Sequence, residues 1–253
     1  MMTSSKIECA LYFELTLQFE EKSKGRPRGE RSAAIERSTT VSARKYVCSS
    51  KTKQRIFKVA TDLFLSQGYE ATTLSDIAKA ADISTSTLYR HYPLKGDFLV
   101  EIGKQSVERL KEFAAALDDS RGLYDSILAI MLEDIEGTRP IFFGADGQDA
   151  DRPANDIRLA YSYEIYASKE HLDIELATRS ELASIYASVI ECGKERGEID
   201  LEFDSYTCAQ IIVAIFFSEF DKGIYRNDYP YELRFREKLD VLFEGRLRSI
   251  EEA

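Results

Sequence analysis

Between Thr85 and His91 the chain reads TSTLYRH, and every side chain there except Leu88 carries a hydrogen-bonding group. The hydroxyls of Thr85, Ser86 and Thr87 both donate and accept, and Arg90 presents a planar fork of donors. Small donors and acceptors beside a cation suit reversible recognition. On a helix lying in a major groove, hydroxyls and Arg read base edges and phosphates. Bond-making chemistry finds no comparable set, since the chain has no GxSxG, P-loop, GxGxxG, HExxH or Cys-His constellation and only two histidines, one of them His91. No catalytic residue and no cofactor is expected.

Such groups need a stiff mount, and Thr72 to Lys95 reads as two short helices joined by a sharp turn. Thr73 and Asp76 form a capping box that fixes the start of the first helix, with Leu74, Ile77 and Ala78 as its buried stripe. The turn Ala81-Asp82-Ile83-Ser84 places at Asp82 a side chain that tolerates left-handed backbone, buries Ile83 and offers Ser84 as cap for the second helix. That helix, Thr85 to His91, keeps only Leu88 and the following Tyr92 apolar, leaving its other face free. Ahead of the pair, Lys51 to Gln67 reads as a helix with Ile56, Ala60, Leu63 and Phe64 on one face and Gly68 as its stop. Its Lys51, Lys53 and Arg55 can approach a phosphate backbone, and surface solvation accounts for them equally well.

From Arg55 onward, RIFKVATDLFLSQGYEATTLSDIAKAADISTSTLYRHYPLKGDFL resembles the N-terminal domain of TetR-type transcriptional regulators. The resemblance is close over about fifty residues. Its most specific pieces are Phe64 with Gly68-Tyr69, Thr73, Ile77-Ala78, Thr87-Leu88-Tyr89 and Lys95. It implies that Tyr89, His91 and Lys95 contact phosphate, that Thr85, Ser86 and Thr87 face bases, and that Thr73 holds the strand at a helix N-terminus. Ser84 and Arg90 join that DNA-facing set. Two positions depart from the family pattern: Asp82 stands in the turn, and Ser86 early in the recognition helix, where the family often has Gly.

Charge is segregated along the chain. The formal net charge is -10, which spread evenly would repel nucleic acid. Residues 21–60 carry 12 Lys and Arg against 3 Glu, net +9, whereas residues 112–253 carry 15 against 31 acids, net -16. This basic head on an acidic body orients the head toward phosphate. Four cysteines, Cys9, Cys48, Cys192 and Cys208, lie far apart without a CxxC pair, so neither a disulfide framework nor a zinc site is expected. A reducing, cytoplasmic and nucleoid-associated setting follows as the expectation. No segment approaches the roughly 20 apolar residues that span a bilayer, and no secretory signal is seen.

Residues 1–50 read as an extension and basic arm. Leu11, Phe13, Leu15, Leu17 and Phe19 alternate like a strand that has no partner elsewhere. Lys24-Gly25-Arg26-Pro27-Arg28-Gly29 resembles the Gly-Arg-Pro core of AT-hooks, which would lay Arg26 and Arg28 along a narrow minor groove; a solvated basic linker is the alternative. The expected organisation is all-α: an extension over 1–50, a three-helix helix-turn-helix domain over 51–111, and a helical effector-binding and dimerisation domain over 112–253. In the last, helices are expected from Lys95 to Leu117 as the link between head and body, then Gly122 to Ile135, Asp156 to Glu170, Asp173 to Arg196, Asp204 to Tyr225 and Glu232 to Glu251. The acidic loop with Asp146, Asp149 and Asp151 lacks the closing Glu of a calcium loop, so no metal is expected there.

Leu182, Ile185, Val189 and Ile190, with Ile211, Ile212, Ile215 and Phe216, are broader than one small core requires, which supports pairing with a second copy. Phe142, Phe143, Tyr161, Tyr163, Tyr166, Phe217 and Phe220 offer aromatic walls for a pocket, and Glu164 and Glu219 polar anchors favouring a cationic or hydroxylated ligand. The function expected is a homodimeric DNA-binding repressor released from a near-palindromic operator by a small molecule. The rival is a DNA-anchored structural or division-related protein with the same head and no ligand.

Overall fold

The computed structural model describes residues 39–142 and 154–244 except positions 119, 201, 203, 224, 225 and 227; for residues 39–50 and 154–156 it describes backbone alone. Arg26 and Arg28, the alternating segment at 11–19 and the loop acids Asp146, Asp149 and Asp151 lie outside the described residues. The chain divides into two units, Met1–Val47 and Cys48–Ala253, and the second holds every described side chain.

Among the described residues the protein is all-α. Helix α1 spans Thr39–Gln67, α2 Leu74–Ala80, α3 Thr85–His91, α4 Gly96–Ala115, α5 Leu123–Phe142, α6 Ala154–Ala167, α7 Lys169–Glu195, α8 Ser205–Lys222 and α9 Tyr231–Phe243. Gly68 ends α1 with φ 93, a left-handed stop open to a residue without Cβ. Gly197 ends α7 in the same way at φ 74, and the Glu198 N–H donates back to the Gly193 carbonyl at 2.9 Å.

Of the boundaries that differ from the sequence-based expectation, three have a visible cause. α1 begins at Thr39 rather than Lys51, because the polar run before residue 51 continues the helix without a core-facing stripe to announce it. α5 runs on to Phe142 through Pro140, and the Thr138 hydroxyl donates to the Asp134 carbonyl at 2.6 Å. α7 starts at Lys169 instead of Asp173, since the Ser168 hydroxyl accepts from the His171 N–H at 3.3 Å and caps it there.

Two packed layers organise the unit. In the head, Ile56, Ala60 and Phe64 of α1, Tyr69, Ile77 and Ala78, Leu88, Tyr92 and Phe98 are all buried around one small centre. Each of the larger aliphatic and phenyl side chains among them contributes about 1.5–3 kcal/mol when buried. The Phe64 ring meets Phe98 edge-on at 5.9 Å, and Tyr92 stacks on Phe98 at 4.0 Å. Phe98 belongs to α4, so the first turn of the linking helix is part of the head's core. Further along, α4 packs against α5, α6 and α7, and α7 against α8. Leu110, Ile127, Ile130, Met131, Tyr186, Ile190 and Ile212 fill that larger layer.

Candidate nucleic-acid interface and interior cavity

The head presents α3 as the sequence pattern requires. Thr73 sits in extended backbone, its hydroxyl accepts from the Asp76 N–H at 3.1 Å, and its own N–H donates to the Asp76 carboxylate at 3.0 Å. The Thr73 hydroxyl also donates to that carboxylate at 2.6 Å, and this bond, then the one from the Thr73 N–H, holds the Asp76 carboxyl below its ordinary range. The turn after α2 carries Asp82 at φ 50, a left-handed conformation that Asp tolerates better than most residues. Ser84 caps α3 by accepting from the Thr87 N–H at 3.2 Å, and its hydroxyl lies 2.9 Å from those of both Ser86 and Thr87. Leu88 is buried beneath, so Thr85, Ser86, Tyr89 and Arg90 face solvent, and Tyr89 is 52% exposed. His91 is half-buried; burial, then the charges of Arg90 and Lys53, hold its imidazole below the usual histidine value.

At the junction of head and body, several charged groups meet around the start of α4. Lys95 donates to the Tyr69 carbonyl at 3.0 Å and lies over the Tyr69 ring at 4.1 Å. The Tyr69 hydroxyl donates to Glu164 at 3.2 Å; burial, then the Glu164 charge, pushes that phenol well up. His171 is buried with Nε2 at 2.9 Å from Asp97 and Nδ1 at 3.2 Å from the Glu164 carbonyl. Gly96 makes this possible, because a Cβ there would stand 2.7 Å from both the Glu164 carboxylate and the His171 ring. On the other side, Lys53 of α1 pairs with Glu101 of α4 at 2.7 Å.

Seven to eleven residues further along α4, Gly103, Ser106 and Val107 wall an interior cavity of about 50 Å³. Phe142, Tyr161, Phe216, Phe217 and Phe220 supply its aromatic lining, and Asp134, Glu175 and Arg179 its charges. Glu175 is satisfied locally: it accepts from Arg179 at 2.8 Å and from the Tyr161 hydroxyl at 2.8 Å. The Arg179 guanidinium also lies over the Phe217 ring at 3.8 Å. Asp134 accepts from the Ser106 hydroxyl and has the Arg109 guanidinium 3.5 Å away. Burial outweighs both partners and pushes its carboxyl up to about 6.

Residues 56–102, which include this helix pair, match the family described as bacterial regulatory proteins, tetR family. Over these residues the chain carries a TetR-type domain. BepR, an HTH-type transcriptional repressor of Brucella suis biovar 1 (strain 1330), is 23% identical over 167 residues, covering 66% of this chain and 78% of that protein. AcrR, an HTH-type transcriptional regulator of Shigella flexneri, is 38% identical over 64 residues, covering 25% of this chain and only 30% of that protein. Among solved structures, Thermus thermophilus FadR, a TetR-family repressor, superposes with a TM-score of 0.60 at 22% identity, covering 76% of this chain and 94% of that one. At that identity the likeness speaks for a shared fold.

The expected site residues divide. Thr73 and Ser84 cap α2 and α3, and Thr85, Ser86, Thr87, Tyr89, Arg90 and His91 lie on α3, whereas Lys95 is engaged with Tyr69 at the junction of head and body. Phe142, Tyr161, Phe217 and Phe220 meet around the cavity. Tyr163 and Tyr166 do not, being 73% and 61% exposed, because steps of two and five residues from Tyr161 turn them to the far side of α6. Glu164 lies at the head junction rather than in the cavity. Glu219 is 0% exposed and bonded to Lys222, Lys238 and Tyr229. The cavity's own charged groups, Asp134, Glu175 and Arg179, are absent from the sequence-based set. The Glu175 and Arg179 spacing of four residues on one helix is the signal that could have found two of them. No helix among the described residues is long and apolar enough to cross a membrane.

Proposed function

We propose that this chain is a transcriptional repressor that binds a near-palindromic operator as a homodimer and lets go of it when a small molecule occupies the interior cavity. Helix α4 carries the reading: its first turn belongs to the core of the DNA-reading head, and its middle walls the cavity. A ligand larger than about 50 Å³ enlarges the cavity by displacing α4, and the head follows. Such a ligand prefers the displaced state and shifts the population toward it.

In this reading residues 51–111 form the DNA-binding domain and 112–253 the effector and pairing domain. Helix α3 lies in the major groove with Thr85, Ser86 and Thr87 toward bases, Ser84 and Arg90 beside them, and Tyr89, His91, Lys95 and Thr73 on phosphates. Arg26 and Arg28 add contacts from the basic arm. Pairing through α7 and α8 would cover Val189 and Ile215, which are half-buried, and Ile211, which is exposed. A twofold dimer sets two α3 helices about one DNA turn apart, roughly 34–36 Å. BepR carries the name of a repressor. Two proteins of this fold were crystallised with small molecules, FadR with lauroyl-CoA and a Saccharomonospora viridis regulator with choline.

The test is a footprint on the DNA upstream of the protein's own gene at two salt concentrations, followed by titration of the complex with candidate effectors. One or two protected sites whose affinity falls steeply with salt are expected. Absence of affinity for any duplex in dilute buffer, or a strictly monomeric protein, would overturn the reading.

A further inference from the structure

Resting on the effector reading above, we infer that the cavity selects a cation with an apolar or aromatic body, and that Asp134 of α5 is the counter-charge that recognises it. Three observations converge. First, the cavity walls carry two carboxylates, Asp134 and Glu175, against one guanidinium, Arg179. Glu175 is already matched by Arg179 and by the Tyr161 hydroxyl. Asp134 is less well matched: Ser106 donates to it, and Arg109 approaches only to 3.5 Å from a partly exposed position where Glu133 competes for it at 3.6 Å.

Second, five rings stand in the lining among aliphatic and small side chains, and a ring face attracts a cation. The cavity displays that chemistry within its own lining, since Arg179 lies over Phe217 at 3.8 Å while Glu175 holds its charge. Third, an anionic or strongly hydrogen-bonding neutral ligand meets little here that would welcome it. The donors of Arg179, Tyr161 and Ser106 are already directed at carboxylates. A cation entering between Asp134 and the rings supplies the charge that the buried carboxylate lacks, and gains ring faces that water does not offer.

The charged and titratable groups facing Asp134 are Arg109 from α4, Glu133 from its own helix, Tyr161 from α6, and Glu175 and Tyr186 from α7. Protonation of Asp134 removes the counter-charge, so affinity for the cation falls as pH drops through about 6.

Calorimetry on the full-length protein distinguishes the possibilities with three benzyl probes: benzyltrimethylammonium, its uncharged carbon isostere neopentylbenzene, and the anion phenylacetate. Wild type is expected to bind the cation at least tenfold more tightly than either other probe at pH 7.5, and to lose most of that advantage at pH 5. Asp134→Asn is expected to bind the cation at least tenfold more weakly while its affinity for neopentylbenzene changes less than threefold, a control that also reports an intact cavity. Should that variant not fold, the wild-type probe order and its pH dependence decide alone. Equal or tighter binding of the neutral or anionic probe overturns the charge assignment and leaves the effector reading standing. Failure of all three to bind overturns the cavity as the site. Binding of the cation with operator affinity unchanged supports the inference and overturns the release mechanism.

Discussion

The two parts of the protein that helix α4 joins handle polar groups in opposite ways. In the head the hydrocarbon is inside and the hydrogen-bonding side chains of α3 stand in water. In the body Asp134, Glu175, Arg179 and Tyr161 turn inward among phenyl rings. A solvated hydroxyl can exchange water for a base edge at little cost. A buried carboxylate has already lost its water and must find partners within the fold. The head therefore keeps these groups available without loss of stability, whereas the body tolerates a poorly matched charge, which the proposed cation would relieve.

The sharpest way to break this contrast is to remove hydrocarbon from the head. Phe98→Ala, which deletes the ring between Phe64 and Tyr92, is expected to lower stability by about 3–5 kcal/mol in chemical denaturation and to abolish operator binding. Asp134→Asn tests the other side. The Asp134 carboxyl sits at about 6 in the fold against 3.8 unfolded, so the folded state holds its proton more tightly. Its contribution is complete below about pH 4 and lost as pH rises to about 6. Relative to wild type, the Asn variant should gain about 2–3 kcal/mol between pH 4 and pH 7, measured by urea unfolding at both. An unchanged difference would mean that the carboxylate is better matched than its surroundings indicate.

Smaller effects probe the surface of the head. Thr87→Ala should alter the preferred base at one operator position by about 1–3 kcal/mol, read by competition with single-substitution duplexes. Loss of affinity spread evenly over all sequences would instead assign Thr87 a purely structural part, as a partner of Ser84. Thr73→Ala removes the cap of α2 and is expected to cost about 1 kcal/mol in thermal unfolding. The smallest change is at the turn: Asp82→Gly relieves the left-handed backbone but loosens the unfolded chain, and should shift stability by less than about 0.5 kcal/mol.

The same contrast explains what is legible in the sequence. The capping box, the left-handed turn, the Ser84 cap and the buried Leu88 all lie within twenty residues, so spacing alone locates the helix pair to the residue. The cavity draws on five helices, from Ile102 to Phe220. Aromatic type points to Phe142, Tyr161, Phe217 and Phe220, but charge does not point to the acids that matter. Glu219 reads as an anchor, and its Lys222 partner one turn on is visible; Lys238 and Tyr229 are not, because tertiary packing brings them. Asp134 sits in an apolar stripe with Ile130, Met131 and Ile135, where only the approach of α4 shows that Ser106 and Arg109 meet it.

Tyr92 ends the reading segment and Phe98 opens the next helix, and their rings lie 4.0 Å apart across the corner made by Pro93. That stack fastens the corner like a fused elbow. In the proposed dimer, an angle through which the long arm swings would be delivered at the fingertips, and the distance between the two grips would follow where the shoulders rest.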